Sequence, residues 1–203
     1  MEIVTTLNFL GGGHTHFEVP SFVAPVGTRQ TTLSWQGLVT DANYGRHLDH
    51  LSIDAMLPGL ALDGATGKGV VVRNLKFTGT FRRALGDLFV GDTAFTVDSV
   101  SGQGATSATF ELDALRYMVN STLQDGFMAM VARIGVAKVV TPSTTIAPIR
   151  YDFTLKHFDA AAMDTLERDL RASNARRTVD QWLWHPSGRR AGQRPDECSI
   201  GGL

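Results

Sequence analysis

The sequence predicts a mainly β fold, an extended antiparallel meander sheet with one C-terminal helix packed on it, a β-rich α+β class. Three observations predict it. Alternation of apolar and polar residues with period two dominates residues 2–158, and glycine-containing breaks recur at hairpin spacing. No helical stretch of crossover length separates the strands before residue 158, so parallel pairing has no route.

The elements follow in chain order. Ile3, Leu7 and Phe9 alternate with Val4, Thr6 and Asn8 in a first strand that ends at Gly11-Gly12-Gly13. Leu33, Trp35 and Val39 alternate with Thr32, Ser34, Gln36 and Thr40; Leu51, Ile53, Ala55 and Leu57 alternate with Ser52, Asp54 and Met56. Runs at 69–81, 88–100 and 127–140 are rich in Val, Phe and Thr, which fit a pleated, half-buried surface. Breaks fall at Gly64 to Gly69, Gly86-Asp87, Gly91-Asp92, Gly102 to Gly104 and Asp125-Gly126. Between Phe110 and Val119 the large apolar residues move from even to odd positions. That predicts a bulge near Asp113 or a short helix starting there. Tyr151, Phe153 and Leu155 share one face of a last strand, and parity adds His157 to it as a hydrogen-bonded core residue.

A helix starts at Asp159, a good N-cap flanked by Phe158 and Met163 at staple positions. Met163, Leu166 and Leu170 form its apolar stripe, Asp164/Arg168 and Glu167/Arg171 pair on its outer face, and Ser173-Asn174 stops it. The domain boundaries are therefore 1–174 for the β-rich domain ending in this helix and 175–203 for a basic, poorly ordered tail. Residues 171–203 hold six arginines against Asp180, Asp196 and Glu197, and Pro, Gly and Ser without periodicity follow Pro186.

Composition excludes several function classes. In 203 residues, 43% are hydrophobic, which suffices for a core, and Lys+Arg 19 against Asp+Glu 20 leaves no basic excess for nucleic acid. One cysteine, Cys198, rules out an intrachain disulfide framework and a cysteine-rich zinc site. No apolar run is long enough to span a bilayer as a helix, and Met1-Glu2-Ile3-Val4-Thr5-Thr6 is not a basic segment followed by an apolar stretch.

Histidine pairs are the raw material for a metal site. His14 and His16 lie two apart on a strand, and His47 and His50 flank Asp49; together they form a candidate metal set, with exposed or turn histidines as the alternative. Gly64-Ala65-Thr66-Gly67-Lys68-Gly69 is not a phosphate loop, because Leu62 stands where a glycine is needed and Gly69 where Ser or Thr must follow the lysine. It reads as a hairpin turn. No G-x-S-x-G elbow occurs, and Asp41, Asp49, Asp54 and Asp63 read as polar faces of strands and turns. Phe127, Met128 and Met130 are candidate apolar-ligand residues, with core filling as the alternative; no cofactor is implied.

Two stretches carry a family resemblance. Residues 85–100, Leu85-Gly86-Asp87-Leu88-Phe89-Val90-Gly91-Asp92 and onward to Val100, resemble the glycine-broken strand pairs of the YdgA-like bacterial proteins of unknown function. Tyr151-Asp152-Phe153-Thr154-Leu155-Lys156-His157-Phe158-Asp159-Ala160 resembles that family's strand ending in an acidic residue and running into an Ala-containing helix. The resemblance implies a β-rich body in the periplasm of Gram-negative bacteria, tethered to the inner membrane in a longer protein. It supplies no catalytic residues. The missing N-terminal apolar segment and the arginine-rich tail predict a partial chain. The functional expectation is a non-enzymatic envelope domain that acts as scaffold or binds a partner, itself included, through its sheet edges. The alternatives are lipid or other apolar-ligand binding on a concave face and a metal-dependent enzyme built on the histidines.

Overall fold

The computed structural model describes residues 1–27, 31–64, 68–104 and 108–183. Among the described residues, thirteen strands form a single antiparallel sheet that stays open. They are β1 (Glu2–Leu7), β2 (Gly13–Val19), β3 (Phe22–Val26), β4 (Thr31–Trp35), β5 (Leu38–Tyr44), β6 (His50–Asp63), β7 (Gly69–Leu85), β8 (Leu88–Gln103), β9 (Thr109–Gln124), β10 (Phe127–Val136), β11 (Lys138–Val140), β12 (Thr145–Ile146) and β13 (Ile149–Asp159). The main path runs β1-β2-β5-β6-β7-β8-β9-β10-β13; β3 and β4 attach to β6, and β11 and β12 attach to β9. The expected meander and its one C-terminal helix, α1 (Ala160–Leu183), are both present.

Most turns fall where glycine predicts them. Asn8 Oδ1 accepts the amides of Leu10 and Gly12 in the β1–β2 turn. The Gly64-to-Gly69 segment is a hairpin: the Gly64 amide donates to the Lys68 carbonyl at 2.7 Å while β6 and β7 pair on either side, with residues 65–67 outside the described residues. Gly91-Asp92 is not a break. β8 runs through it, and Gly91 is required for another reason: a Cβ there would sit 1.9 Å from the Thr80 carbonyl oxygen of β7. Ser121 of β9 fastens that close approach. Its hydroxyl accepts the Gly91 amide at 2.9 Å and donates to the Gly91 carbonyl at 3.2 Å.

The phase change between Phe110 and Val119 is real, but it produces neither an added residue nor a helix. Ala114 adopts a left-handed conformation with φ 51°. Pairing resumes across it without a shift, Val97 opposite Leu115 and Ser99 opposite Asp113. Pairing also lapses without a shift in three neighbours. Pro58, Asn74 and Asp98 drop out of the ladder on the same transverse line, Asn74 in the left-handed conformation at φ 51°, and Leu57↔Leu75↔Val97 and Gly59↔Arg73↔Ser99 pair normally on either side. Parity changes at each, from Leu57, Leu75, Val97 and Leu115 to Leu60, Val72, Val100 and Leu112, a step of three residues. A register shift in one strand would put half its apolar residues on the wrong face. Four strands breaking alternation together on one line avoid that. Asn74 Nδ2 donates to Asp98 Oδ2 at 2.8 Å and ties the line together.

At β13 a true bulge occurs. Pairing with β10 slips between Met128 and Met130, and His157 sits in it at φ 60°. The bulge takes His157 out of alternation, so it is not a core residue behind Tyr151, Phe153 and Leu155; it is exposed, with its ring edge-on to Phe127 at 6.0 Å.

The chain divides into two compact units, Met1–Asp164 and Thr165–Leu203. The first turn of α1 belongs to the first. Asp159 caps it as expected, its Oδ1 accepting the amides of Ala161 and Ala162 at 2.9 and 3.0 Å. Ala160 is fully buried and its amide donates to the Gly126 carbonyl. Asp164, expected on the outer face, is instead 6% exposed and accepts the Asp87 amide of the β7–β8 turn at 3.0 Å. In the second unit Leu166 and Leu170 are exposed and Arg171 pairs with Glu167. The expected stripe is therefore not the buried face, which Ala160 and Asp164 define instead. The helix also continues through Ser173-Asn174 to Leu183. Ser and Asn cost a helix interior only fractions of a kcal/mol, and the first proline in the sequence beyond them is Pro186. Of the expected 175–203 tail, residues 184–203 lie outside the described residues.

Candidate functional site

Cross-strand neighbours in an antiparallel sheet present their side chains to the same face, so the register assigns each residue to a face. One transverse row begins with Glu2 and Glu18 on β1 and β2, and reaches Lys76, Arg116 and Arg150 on β7, β9 and β13. The next row on that face carries His16, Asp41, Asp54, Arg133 and Asp152. This face carries charge in both rows, and the first sorts it by sign, acidic on β1 and β2 and basic on β7, β9 and β13.

Its most organised cluster is built on β2 and β5. His14 and His16 sit on one face of β2 because they are two residues apart, and Asp41 lies directly opposite His16. Asp41 Oδ1 accepts from His14 Nε2 at 3.0 Å and from His16 Nδ1 at 2.9 Å. A carboxylate only accepts, so each of those ring nitrogens carries the proton. The hydrogen bond to Asp41 holds His16 above its ordinary value of 6.5, with Glu18 and Glu2 adding to the pull. Donation from His16, and then from His14, holds Asp41 below 3.8. All three side chains are between a third and a half exposed.

The second histidine pair does not join them. His47 accepts from Arg46 Nε at 3.1 Å, and His50 Nδ1 lies 2.9 Å from Asp49 Oδ1. The row of His14 passes through Asn43 and Ser52, and His50 is two residues beyond Ser52 on β6, which separates the pairs by roughly 12 Å. Among the described residues no group of three His, Cys, Asp or Glu side chains is placed to hold a metal ion.

On the same charged face a half-open cavity of about 400 Å3 is lined by Asp54, Thr78, Thr80, Asp92, Asn120 and Arg133 among others. Asn120 Nδ2 donates to Asp92 Oδ1 at 2.8 Å across its floor. Such a trough offers donors and acceptors to a polar group.

The opposite face is different in kind. One row begins at Ile3, Phe17, Thr40 and Ala55 on the first strands of the path and continues through Phe77, Phe95, Tyr117, Ile134 and Tyr151. The adjacent row holds Thr5, Thr15, Ala42 and Ile53, then Gly79, Thr93, Val119, Ala132 and Phe153. Neither row contains a charged residue from one sheet edge to the other. Tyr117, Ile134 and Phe153 are 38–39% exposed and Tyr151 59%, so this surface faces solvent.

Alternation divides the Phe127, Met128 and Met130 group. Met128 and Met130 belong to the uncharged face, opposite Leu123 and Ser121 on β9, while Phe127 projects to the other side. Sequence reading missed the uncharged rows and the role of Asp41. Alternation within each strand was legible, but the alignment of Phe77 with Phe95 and Tyr117 depends on hairpin register. Turn lengths were the only signal that could have given it.

Comparison with curated proteins and with solved structures returned no match. A family described as bacterial protein of unknown function, DUF945, matches residues 1–189, which takes in the whole sheet and the described helix. The YdgA-like resemblance is consistent with that match, and the chain belongs to this family of bacterial proteins of unknown function.

Proposed function

We propose that this domain is a non-catalytic partner-binding module of the bacterial cell envelope, and that the uncharged sheet face is its docking surface. One observation carries the reading: two adjacent rows cross nine strands without a charge and include Phe17, Phe77, Phe95, Tyr117 and Tyr151. A sheet face of this composition gains free energy when another layer removes it from water, at about 25 cal/mol per Å2 of apolar surface. Soluble monomers keep such patches to a few hundred Å2. The family resemblance supports a periplasmic location, with an anchor to the inner membrane in the longer protein; fractionation of cells expressing the full gene checks it.

A photo-crosslinking amino acid at Tyr117 tests the docking surface in cells. The expected result is a defined protein adduct from Tyr117 that the same probe at Thr78, on the charged face, does not give. Equal or absent adducts from both would sink the reading.

A second reading, lipid or another apolar ligand, is favoured by Met128 and Met130, which adjoin Leu123 and Leu155 on the same face. Native mass spectrometry of the purified chain separates the two, because a stoichiometric acyl species lost in a Met130→Lys variant supports the ligand.

A further inference from the structure

The dimensions of the uncharged face select its occupant. Strands about 4.8 Å apart make each row roughly 38 Å long, and same-face rows lie about 6.8 Å apart. The third row on this face, with Leu51, Phe81, Met130 and Leu155, is uncharged too. Three rows give a footprint of roughly 780 Å2, close to the about 800 Å2 per partner of a stable protein interface. A single acyl chain would cover one row and leave the others in water. A second sheet of the same size would cover all three.

We infer that the occupant is a second copy of this chain, packed face to face as the other layer of a sandwich. The inference rests on the partner-binding reading above and names the partner. Three features support it. An isologous interface brings each patch against itself, and a surface without charge meets its own copy with no like-charge pair to desolvate. Two copies of one sheet share the same twist, which is the condition for aligned packing about 10 Å apart. The charged rows, with Glu2 and Glu18 at one end and Arg116 and Arg150 at the other, would then lie on the outside of both layers, in water.

Sedimentation equilibrium on the full chain over about 1–100 µM tests the inference. The expected species has twice the 22.0 kDa chain mass. Tyr117→Lys, in mid-row, should weaken the dimer at least about tenfold. Tyr151→Lys, at a position 59% exposed and therefore tolerant of lysine, should weaken it as well without unfolding the sheet, which far-UV circular dichroism verifies. Thr78→Lys should leave it intact. A wild-type chain that stays monomeric throughout, or a dimer that survives both Tyr117→Lys and Tyr151→Lys, overturns the inference. A monomer whose Tyr117 probe captures a different protein overturns the second copy and keeps the docking surface; a monomer with no specific adduct overturns both.

Discussion

Asp164 Oδ1 accepts the amide of Asp87 at 3.0 Å, and so ties the first turn of α1 to the β7–β8 hairpin turn. The preceding residue, Gly86, has φ 54°, and a Cβ on it would stand 2.6 Å from that same carboxylate oxygen. Gly86→Ala therefore meets two penalties, a left-handed backbone and a collision with Asp164. We expect a loss of about 1–3 kcal/mol, read as a lower denaturant midpoint at unchanged slope. Asp164→Ala should cost a similar amount by removing this acceptor from the Asp87 amide. The double variant should cost less than the sum, because Ala at 164 removes the collision. Strict additivity would show that the two residues do not act together.

Gly91 tests a different close approach. Its absent side chain leaves room for the Thr80 carbonyl, so Gly91→Ala should destabilise by roughly 2 kcal/mol or more. Ser121→Ala, which removes both hydrogen bonds to Gly91, should cost about 1–2 kcal/mol. Thermal or urea unfolding measures both. A neutral Gly91→Ala would mean that β7 and β8 can separate there at no expense.

Ala114 holds its left-handed conformation without glycine's freedom. Ala114→Gly should change stability by less than about 1 kcal/mol, in the stabilising direction, since relief of backbone strain exceeds the added chain entropy. Ala114→Val should destabilise by more than about 1 kcal/mol, because a β-branched side chain tolerates that region least. Urea midpoints of the two variants should fall on opposite sides of the parent. The reverse order would place Ala114 in ordinary extended backbone.

The His14–Asp41–His16 cluster makes stability depend on pH. His16 is raised above 6.5, so its contribution is complete below that value and fades as pH rises through its folded-state value. Asp41 is lowered below 3.8, so its contribution is complete above that value and fades as pH falls through its folded-state value. The pair therefore stabilises most between pH 3.8 and 6.5. The difference in melting temperature between the parent and Asp41→Asn should be greatest in that window and should shrink in high salt, because the groups are exposed. By NMR, the His16 ring should titrate at lower pH in Asp41→Asn than in the parent. An unchanged His16 midpoint would remove Asp41 as its partner.

Much of the fold was legible because its signals are local. Period-two alternation in Leu51–Leu57 or Tyr151–Leu155 follows from backbone geometry alone, and the glycines at 64–69 and 86 mark turns through their own conformational freedom. Asp159 named the helix start for the same reason. Errors arose where a residue's meaning lay in a neighbour distant in sequence. Gly91 looked like a turn and proved to be room for Thr80. Asp164 looked like a surface acid until the hairpin turn at Asp87 met it.

The candidate site divides the same way. His14 and His16 were visible as a pair on one strand face, but Asp41, 25 residues beyond His16, became their partner only through the β2–β5 register. Composition and alternation, then, determined by themselves that this chain is an antiparallel meander whose strands alternate apolar and polar residues. Tertiary structure decided that Phe77, Phe95, Tyr117, Ile134 and Tyr151 form one unbroken row, and that four strands change phase together at Pro58, Asn74, Asp98 and Ala114. The physical reason is that the side-chain period belongs to a single strand, whereas a surface exists only once register fixes which residues of different strands stand side by side.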